Sequence, residues 1–398
     1  MSSIANGMPF TASPELRADL QRIFVPALGV GVVLSILSVV GAFLSPGDFF
    51  RSYLMSFLFW FGLTLGSLAI VMLQYLTSGA WGVMTRRTLE SASRTLPLCA
   101  LLFIPIALGT HQIYDWAHPD LVSKEYVLAH RYPFMSTGWF IARAVGYFAI
   151  WGILTFFLNR WSAQQDETGG LEKRLAALSA PGLILYVFTL TFASVDWAES
   201  LDTDFYSTIW GFLFVAQQAL SVFAFIIIVM ALLSKREPLA SLFKTSHLHD
   251  LGKLLLACVM LWAYFSFSQL LIIWAGNLTD EIPWYLRRLA TSWGWLGVAL
   301  IVVEFIIPFL LLLSRPLKRN VVALCSVVGI IIVMRWVDLA WIVWPSYYQK
   351  GFRFTWLMVC VPLAMGCLWV ATFVWNLRAR PLLPVRAPNL EKALHHGE

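Results

Sequence analysis

The chain has 398 residues, 59% hydrophobic and 13% charged, where a soluble domain carries about 25% charged residues. With a mean hydropathy of +0.73, this excludes a string of soluble domains and points to a polytopic membrane protein. The net charge of +6 is scattered over short segments and forms no basic patch, which argues against a nucleic-acid partner.

The N-terminal segment Met1–Asp19 is polar and lacks the pattern of a secretory signal peptide. After it come ten stretches that approach the ~20 apolar residues needed to cross a bilayer. Spans 1 and 2 are Phe24–Leu44 and Ser52–Leu76, and span 3 is Leu96–Tyr114. A long polar and aromatic loop, Gln112–Met135, leads to span 4, Ser136–Asn159. The Gly-containing segment Arg160–Arg174 reads as a loop before span 5, Leu175–Ala198. The stretch Phe192–Gly211 then carries Asp196, Glu199, Asp202 and Asp204 with no Lys or Arg, an acidic hairpin leading into span 6, Thr208–Leu233. Spans 7 to 10 are Leu254–Ala275, Leu289–Leu313, Val321–Val343 and Thr355–Trp375. The Pro-rich tail Pro381–Glu398 reads as loose.

Charge sets the orientation. The N-terminus, the C-terminus and the loops on their side hold 19 Lys and Arg, the opposite loops 7. The positive-inside rule then puts both termini in the cytoplasm. The ends of spans 3 and 5 share Asp-Trp-Ala (115–117 and 196–198), and span 9 carries Asp338 with Trp341 and Trp344. Two four-helix units explain this echo; an interfacial aromatic belt explains the Trp residues without any repeat. The expected organisation is a first helix with its leader (1–51), a bundle (52–198), a connector (199–207), a second bundle (208–343), and a last helix with its tail (344–398).

An ionisable group inside a span costs about 2.5–3.5 kcal/mol on insertion scales, so each one needs a reason. One group lies in spans 3 to 5: His111 and Asp115 near the end of span 3, Arg143 in span 4, and Asp196 closing span 5. Behind Asp196, the spacing of Tyr186, Thr189 and Ala193 puts all four residues on one helix face. A cation, carboxylates and an imidazole at similar depth can bind a quinol head group or pass protons; a structural Arg–Asp pair with an interfacial His fits the same residues. The second group is Glu304 in span 8 with Arg335 and Asp338 in span 9. Arg335 and Asp338, three apart, can pair. Glu304 has no partner in its own helix, so it is expected to hold a mobile proton, and Pro308 removes a backbone donor to its carbonyl. Gln217 and Gln218 in span 6, with Tyr264, Ser266, Ser268 and Gln269 in span 7, suggest a polar bundle interior.

The five cysteines all lie in apolar runs, and none forms a CxxC or CxxCH pattern, so iron–sulfur ligation and c-type haem are not expected. None of the seven histidines falls deep in a span, so b-type haem is not expected either, and no His, Cys or carboxylate spacing matches a metal site. Walker and dinucleotide glycine motifs are absent.

Three stretches carry a resemblance: YDWAHPD (114–120), DWAESLDTDFYSTIWG (196–211) and HDLGKLLLACVMLWAYFSFSQLLIIWAGNLTDEIPW (249–284). They resemble the NrfD/PsrC-like membrane subunits of bacterial alternative complex III, a quinol:cytochrome c oxidoreductase, over roughly spans 3 to 9. The resemblance implies a ten-helix inner-membrane protein with two four-helix bundles and no redox centre of its own. It implies as partners a sister NrfD-like subunit, a periplasmic iron–sulfur subunit, multihaem cytochrome c subunits, and lipid or quinone. It also implies that quinol oxidation belongs to the sister subunit, with a proton-conducting or scaffolding role here.

The leading expectation is therefore a subunit of a quinol-oxidising respiratory complex with a proton path through Glu304, Arg335, Asp338 and Asp196. The alternatives are quinol binding by this chain at His111, Arg143 and Asp115, and a stand-alone secondary transporter.

Overall fold

The computed structural model describes residues 10–394, apart from 125, 133 and the side chain of Tyr126. His395 and His396 lie outside the described residues. Ten helices are long and apolar enough to cross a membrane, and no strand occurs among the described residues. They are α1 (Pro14–Leu44), α2 (Pro46–Thr77), α3 (Ala80–Leu108), α4 (Thr137–Thr168), α5 (Glu172–Trp197), α6 (Trp210–Leu233), α7 (Thr245–Gly276), α8 (Trp293–Leu313), α9 (Val321–Val343) and α10 (Leu357–Arg378). With ten crossings, residues 14 and 378 share one face, called here the terminal face. The loops 109–136, 198–209, 277–292 and 344–356 lie on the other.

The centre of the protein is α2. It is apolar all round, and 94% of its most hydrophobic window is buried. It packs on α3, α5, α6 and α10. Small residues permit this. A Cβ on Gly66 would sit 2.8 Å from Val222 Cγ2 and 3.1 Å from the Gln218 carbonyl oxygen, while one on Gly62 would meet Gln218 at 3.6 Å. Gly62 and Gly66 thus form a GxxxG face that brings α2 close to α6. The first and last helices, α1 and α10, pack along each other, and α10 joins them to α2.

Several segments differ from their sequence reading. Residues 80–93 form a buried helix continuous with span 3 apart from a break at Arg94–Thr95, because their charges pair internally. α4 runs on to Thr168, leaving only a short turn before Glu172. The tail docks: Leu382, Leu383, Leu390 and Ala393 are buried, and Leu382 N donates to Phe10 O at 2.8 Å. His247, buried at the start of α7, places Nε2 2.7 Å from Ala393 O. The acidic hairpin is also packed. Glu199 accepts from Ser207 N at 2.5 Å, Asp202 pairs with Arg287, and Phe205 stacks on Trp284 with centroids 4.9 Å apart. Tyr264 faces out of the bundle, 63% exposed, while Gln269 is buried.

On the opposite face the short helix Ile282–Leu289 lies across the ends of α6 and α9. Arg288 holds it there. Its guanidinium donates to the carbonyls of Trp341 (3.1 Å), Ile342 (2.8 Å) and Trp284 (2.9 Å), and sits 3.6 Å from the Trp284 ring centroid. A cation on the last carbonyls of α9 complements that helix's dipole.

Candidate functional site: buried ion pairs and a polar column

The first site closes α5. Asp196 is buried and receives a two-pronged donation from Arg143, Nε to Oδ2 at 2.9 Å and Nη2 to Oδ1 at 2.7 Å. The Tyr147 hydroxyl adds a third donor at 2.9 Å. Arg143 also donates to Phe134 O at 2.7 Å and lies 4.0 Å from the Phe134 ring centroid. Tyr186, Thr189, Ala193 and Asp196 are all buried, so the shared face read from their spacing is present. His111 and Asp115 stand apart from this pair. The helix at Thr110–Ile113 ends at Tyr114, both side chains are exposed, and the His111 carbonyl contacts His118 Nε2 at 2.8 Å. Beside them, burial pushes the Tyr114 and Tyr347 hydroxyls well above the usual phenol range. Both therefore act as donors, to Trp197 O at 3.0 Å and to Ile113 O at 2.9 Å.

The second site is a buried triad. Arg335 Nη1 donates to Glu304 Oε1 at 3.2 Å and also to Asp338 Oδ2. Glu304 is therefore not the partnerless acid its own helix suggested: a cation from α9 bridges it to Asp338. Its second oxygen, Oε2, is buried and has no partner. Around Glu304 the chain winds as a π-helix, Leu300–Ile306, in keeping with Pro308 lacking an N–H for the Glu304 carbonyl. Asp338 Oδ2 further accepts from Gln217 Nε2 at 2.9 Å and Trp262 Nε1 at 3.0 Å, and Arg335 Nε reaches Ser221 Oγ at 3.3 Å.

A third cluster, on the terminal face, went unrecognised in the sequence. Arg87 Nη1 donates to Glu90 Oε2 at 2.7 Å and to Ser162 Oγ at 3.0 Å, and the guanidinium also pairs with Asp166. Glu90 Oε1 accepts from Ser162 at 2.5 Å and Tyr75 at 3.1 Å, and Arg380 lies 3.7 Å from Oε2. Reading 77–95 as a cytoplasmic loop hid this cluster.

The first and third sites lie at the two ends of a column on α4. Arg143, Tyr147, Trp151, Thr155, Asn159, Ser162 and Asp166 recur at intervals of three or four, so they share one face. They span about 34 Å at 1.5 Å per residue, the thickness of a hydrocarbon core. Five of them, from Tyr147 to Ser162, are buried. Trp151 Nε1 donates to Thr189 Oγ1 at 2.8 Å, and Asn159 Nδ2 reaches Ser93 Oγ at 3.4 Å. The spacing was legible in the sequence once Arg143 was noticed. Midway, Tyr186 OH donates to Gln218 Oε1 at 2.9 Å. Gln218 adjoins Gln217, the Asp338 ligand, so one turn of α6 touches both polar systems. Beside it a cavity of about 20 Å³ is lined by Ser194, Gln217, Gln218, Ser221 and Arg335. That volume holds one water, and the unpartnered Gln217 Oε1 offers it an acceptor.

The fold and these intramembrane charges define an all-α, multi-pass membrane protein with a polar interior. No protein-family model and no curated protein matches the chain.

Proposed function

We propose that this protein is an NrfD/PsrC-like, ActF-type membrane subunit of a quinol-oxidising respiratory complex in a bacterial inner membrane, and that it carries protons. Its partners in this reading are the sister NrfD-like subunit, the periplasmic iron–sulfur subunit and the multihaem cytochromes c. The 19-to-7 excess of basic residues favours a cytoplasmic terminal face. The observation that carries the proton role is the series of buried polar groups between the Glu304–Arg335–Asp338 triad and the Glu90 cluster. It runs from the triad through Gln217 and Gln218 to Tyr186, and along the α4 column to Ser162 and Glu90. Titratable stations with hydroxyls and amides between them are what water-assisted proton transfer requires. Trp151 is the one member of the buried part of the column, Tyr147 to Ser162, whose side chain donates but cannot accept, so it is where transfer is interrupted and gated. Asp196, held by Arg143 and Tyr147, is the station at the opposite end of the column.

The test is the complex reconstituted in proteoliposomes, with protons moved per electron as the readout. Glu304→Gln and Tyr186→Phe are each expected to lower that ratio while assembly is preserved. Unchanged ratios in both variants would remove the proton role.

A further inference from the structure

The terminal-face end of the α4 column is covered by the chain's own C-terminal segment. Just past α10, Arg380 Nη1 lies 3.5 Å from Asn159 Oδ1 and 3.7 Å from Glu90 Oε2. Residues 381–394 then cross the mouth of the column as a strap. Leu382 N donates to Phe10 O, Val385 N donates to Asp166 Oδ1 at 3.1 Å, and Arg386 O accepts from Gln165 Nε2 at 2.9 Å. Farther on, Asn389 Nδ2 donates to Ser78 O at 3.3 Å, and the short helix Leu390–Leu394 packs on residues 80–93. The strap ends against the first turn of α7. There His247 Nδ1 accepts from Lys244 N at 3.0 Å, so the ring proton belongs on Nε2, which donates to Ala393 O at 2.7 Å. Trp262 of the same helix donates to Asp338 Oδ2, so α7 carries both a ligand of the triad and the anchor of the strap.

The acids beneath the strap show what it does. The side chain of Asp166, the last carboxylate of the column, is 15% exposed, and both its oxygens are taken: Oδ2 by Arg87 and Oδ1 by the Val385 N–H. Glu90 is 2% exposed and is ringed by Arg87, Ser162, Tyr75 and Arg380. A backbone N–H donates a hydrogen bond but does not titrate. While it occupies Asp166 Oδ1, that oxygen cannot exchange a proton with water.

The strap is also a separable piece. Arg386 and Pro388 are exposed, and at Phe10, Gln165 and Ser78 it is held by single hydrogen bonds to the rest of the chain. A segment of this kind opens locally without unfolding the helices under it. We propose that residues 381–394 are a lid on the terminal-face mouth of the column, and that the lid lifts for protons to pass between Asp166 and the water on that face. The proposal rests on the proton-carrying reading above. It adds a second point of control at the mouth, separate from Trp151 within the column.

The experiment has two arms, both on the complex in proteoliposomes. In the first, a water-soluble carbodiimide with an amine labels carboxylates from the terminal face, and mass spectrometry follows Asp166 against the exposed Glu167 as an internal standard. Val385→Pro removes only the N–H on Asp166 Oδ1 and should speed labelling of Asp166 by about tenfold, as expected for one lost bond to a charged group. In the second, Ser78→Cys/Asn389→Cys is bridged by a short reducible bis-thiosulfonate that pins the strap down, with the same reagent on the wild type as control. The bridged complex should lose most of its protons moved per electron while electron transfer continues, and reduction should restore the ratio. Equal labelling of Asp166 in wild type and Val385→Pro, or a proton ratio unchanged by the bridge, would each overturn the lid. So would a bridge that stops electron transfer as well. A ratio lowered by Glu304→Gln and Tyr186→Phe but not by the bridge removes the lid alone, whereas a ratio that none of them lowers removes the proton role with it.

Discussion

Removing Arg335 should be far more damaging than removing it together with one of its acids. Glu304 Oε1 lies 3.2 Å from Arg335 Nη1, Asp338 is held by the same nitrogen, and the three side chains are between 0% and 6% exposed. At 3.2 Å and an effective dielectric of 20, the Arg335–Glu304 attraction alone is about 5 kcal/mol. In Arg335→Met both carboxylates stay in a dry interior without their cation. One of them must take up a proton, and the cost is about 3–5 kcal/mol, the usual penalty for stripping one partner from a buried pair. Arg335→Met/Asp338→Asn removes one cation and one acid together, returning the cluster to its wild-type net charge at nearly the same volume, so most of the loss should return. The double-mutant cycle is expected to show about 2–3 kcal/mol of coupling. Because membrane proteins unfold irreversibly in detergent, the assay is the half-life of the folded chain at fixed temperature, where each tenfold change is about 1.4 kcal/mol. If Arg335→Met lies within about 1 kcal/mol of wild type, or if Asp338→Asn fails to rescue it, Arg335 does not offset the two acids and the reasoning fails.

Three further outcomes test the architecture. Gly66→Val should force α2 from α6 at a cost of about 1–3 kcal/mol, read as faster thermal inactivation, whereas Gly146→Ala, with nothing within 4 Å of its Cβ, should be neutral. Arg288→Met should cost about 3 kcal/mol through its lost charge-assisted bonds to three carbonyls, with faster amide exchange confined to residues 282–289 and 341–343; unchanged exchange would show that Arg288 is not the clamp. Deleting residues 381–398 should loosen the terminal face, because Val385 N donates to Asp166 Oδ1 at 3.1 Å and Gln165 Nε2 donates to Arg386 O at 2.9 Å; limited proteolysis near 160–174 should then accelerate, and an unaltered digest would contradict the docked tail.

The sequence alone determined the ten spans, since a run of ~20 apolar residues has no other economical place than a membrane. It also identified Arg143, Asp196, Glu304, Arg335 and Asp338, because a charge in such a run stands out against its neighbours. Pairing within one helix was equally legible, as for Arg335 and Asp338, since three-residue spacing fixes proximity. What only the tertiary structure decided is pairing between helices. Glu304 meets Arg335, Arg143 meets Asp196, and Gln217 and Gln218 meet Asp338 and Tyr186 through contacts that no spacing encodes. The same limit explains the misplaced residues. Arg87 and Glu90 have loop-like composition, yet they are buried because Asp166, Ser162, Tyr75 and Arg380 arrive from elsewhere in the chain to satisfy them. Glu199 and Asp202 look solvated for the same reason and are buried for the same reason. Whether a charge is tolerated inside depends on its partners, and the partners are assembled only by the fold.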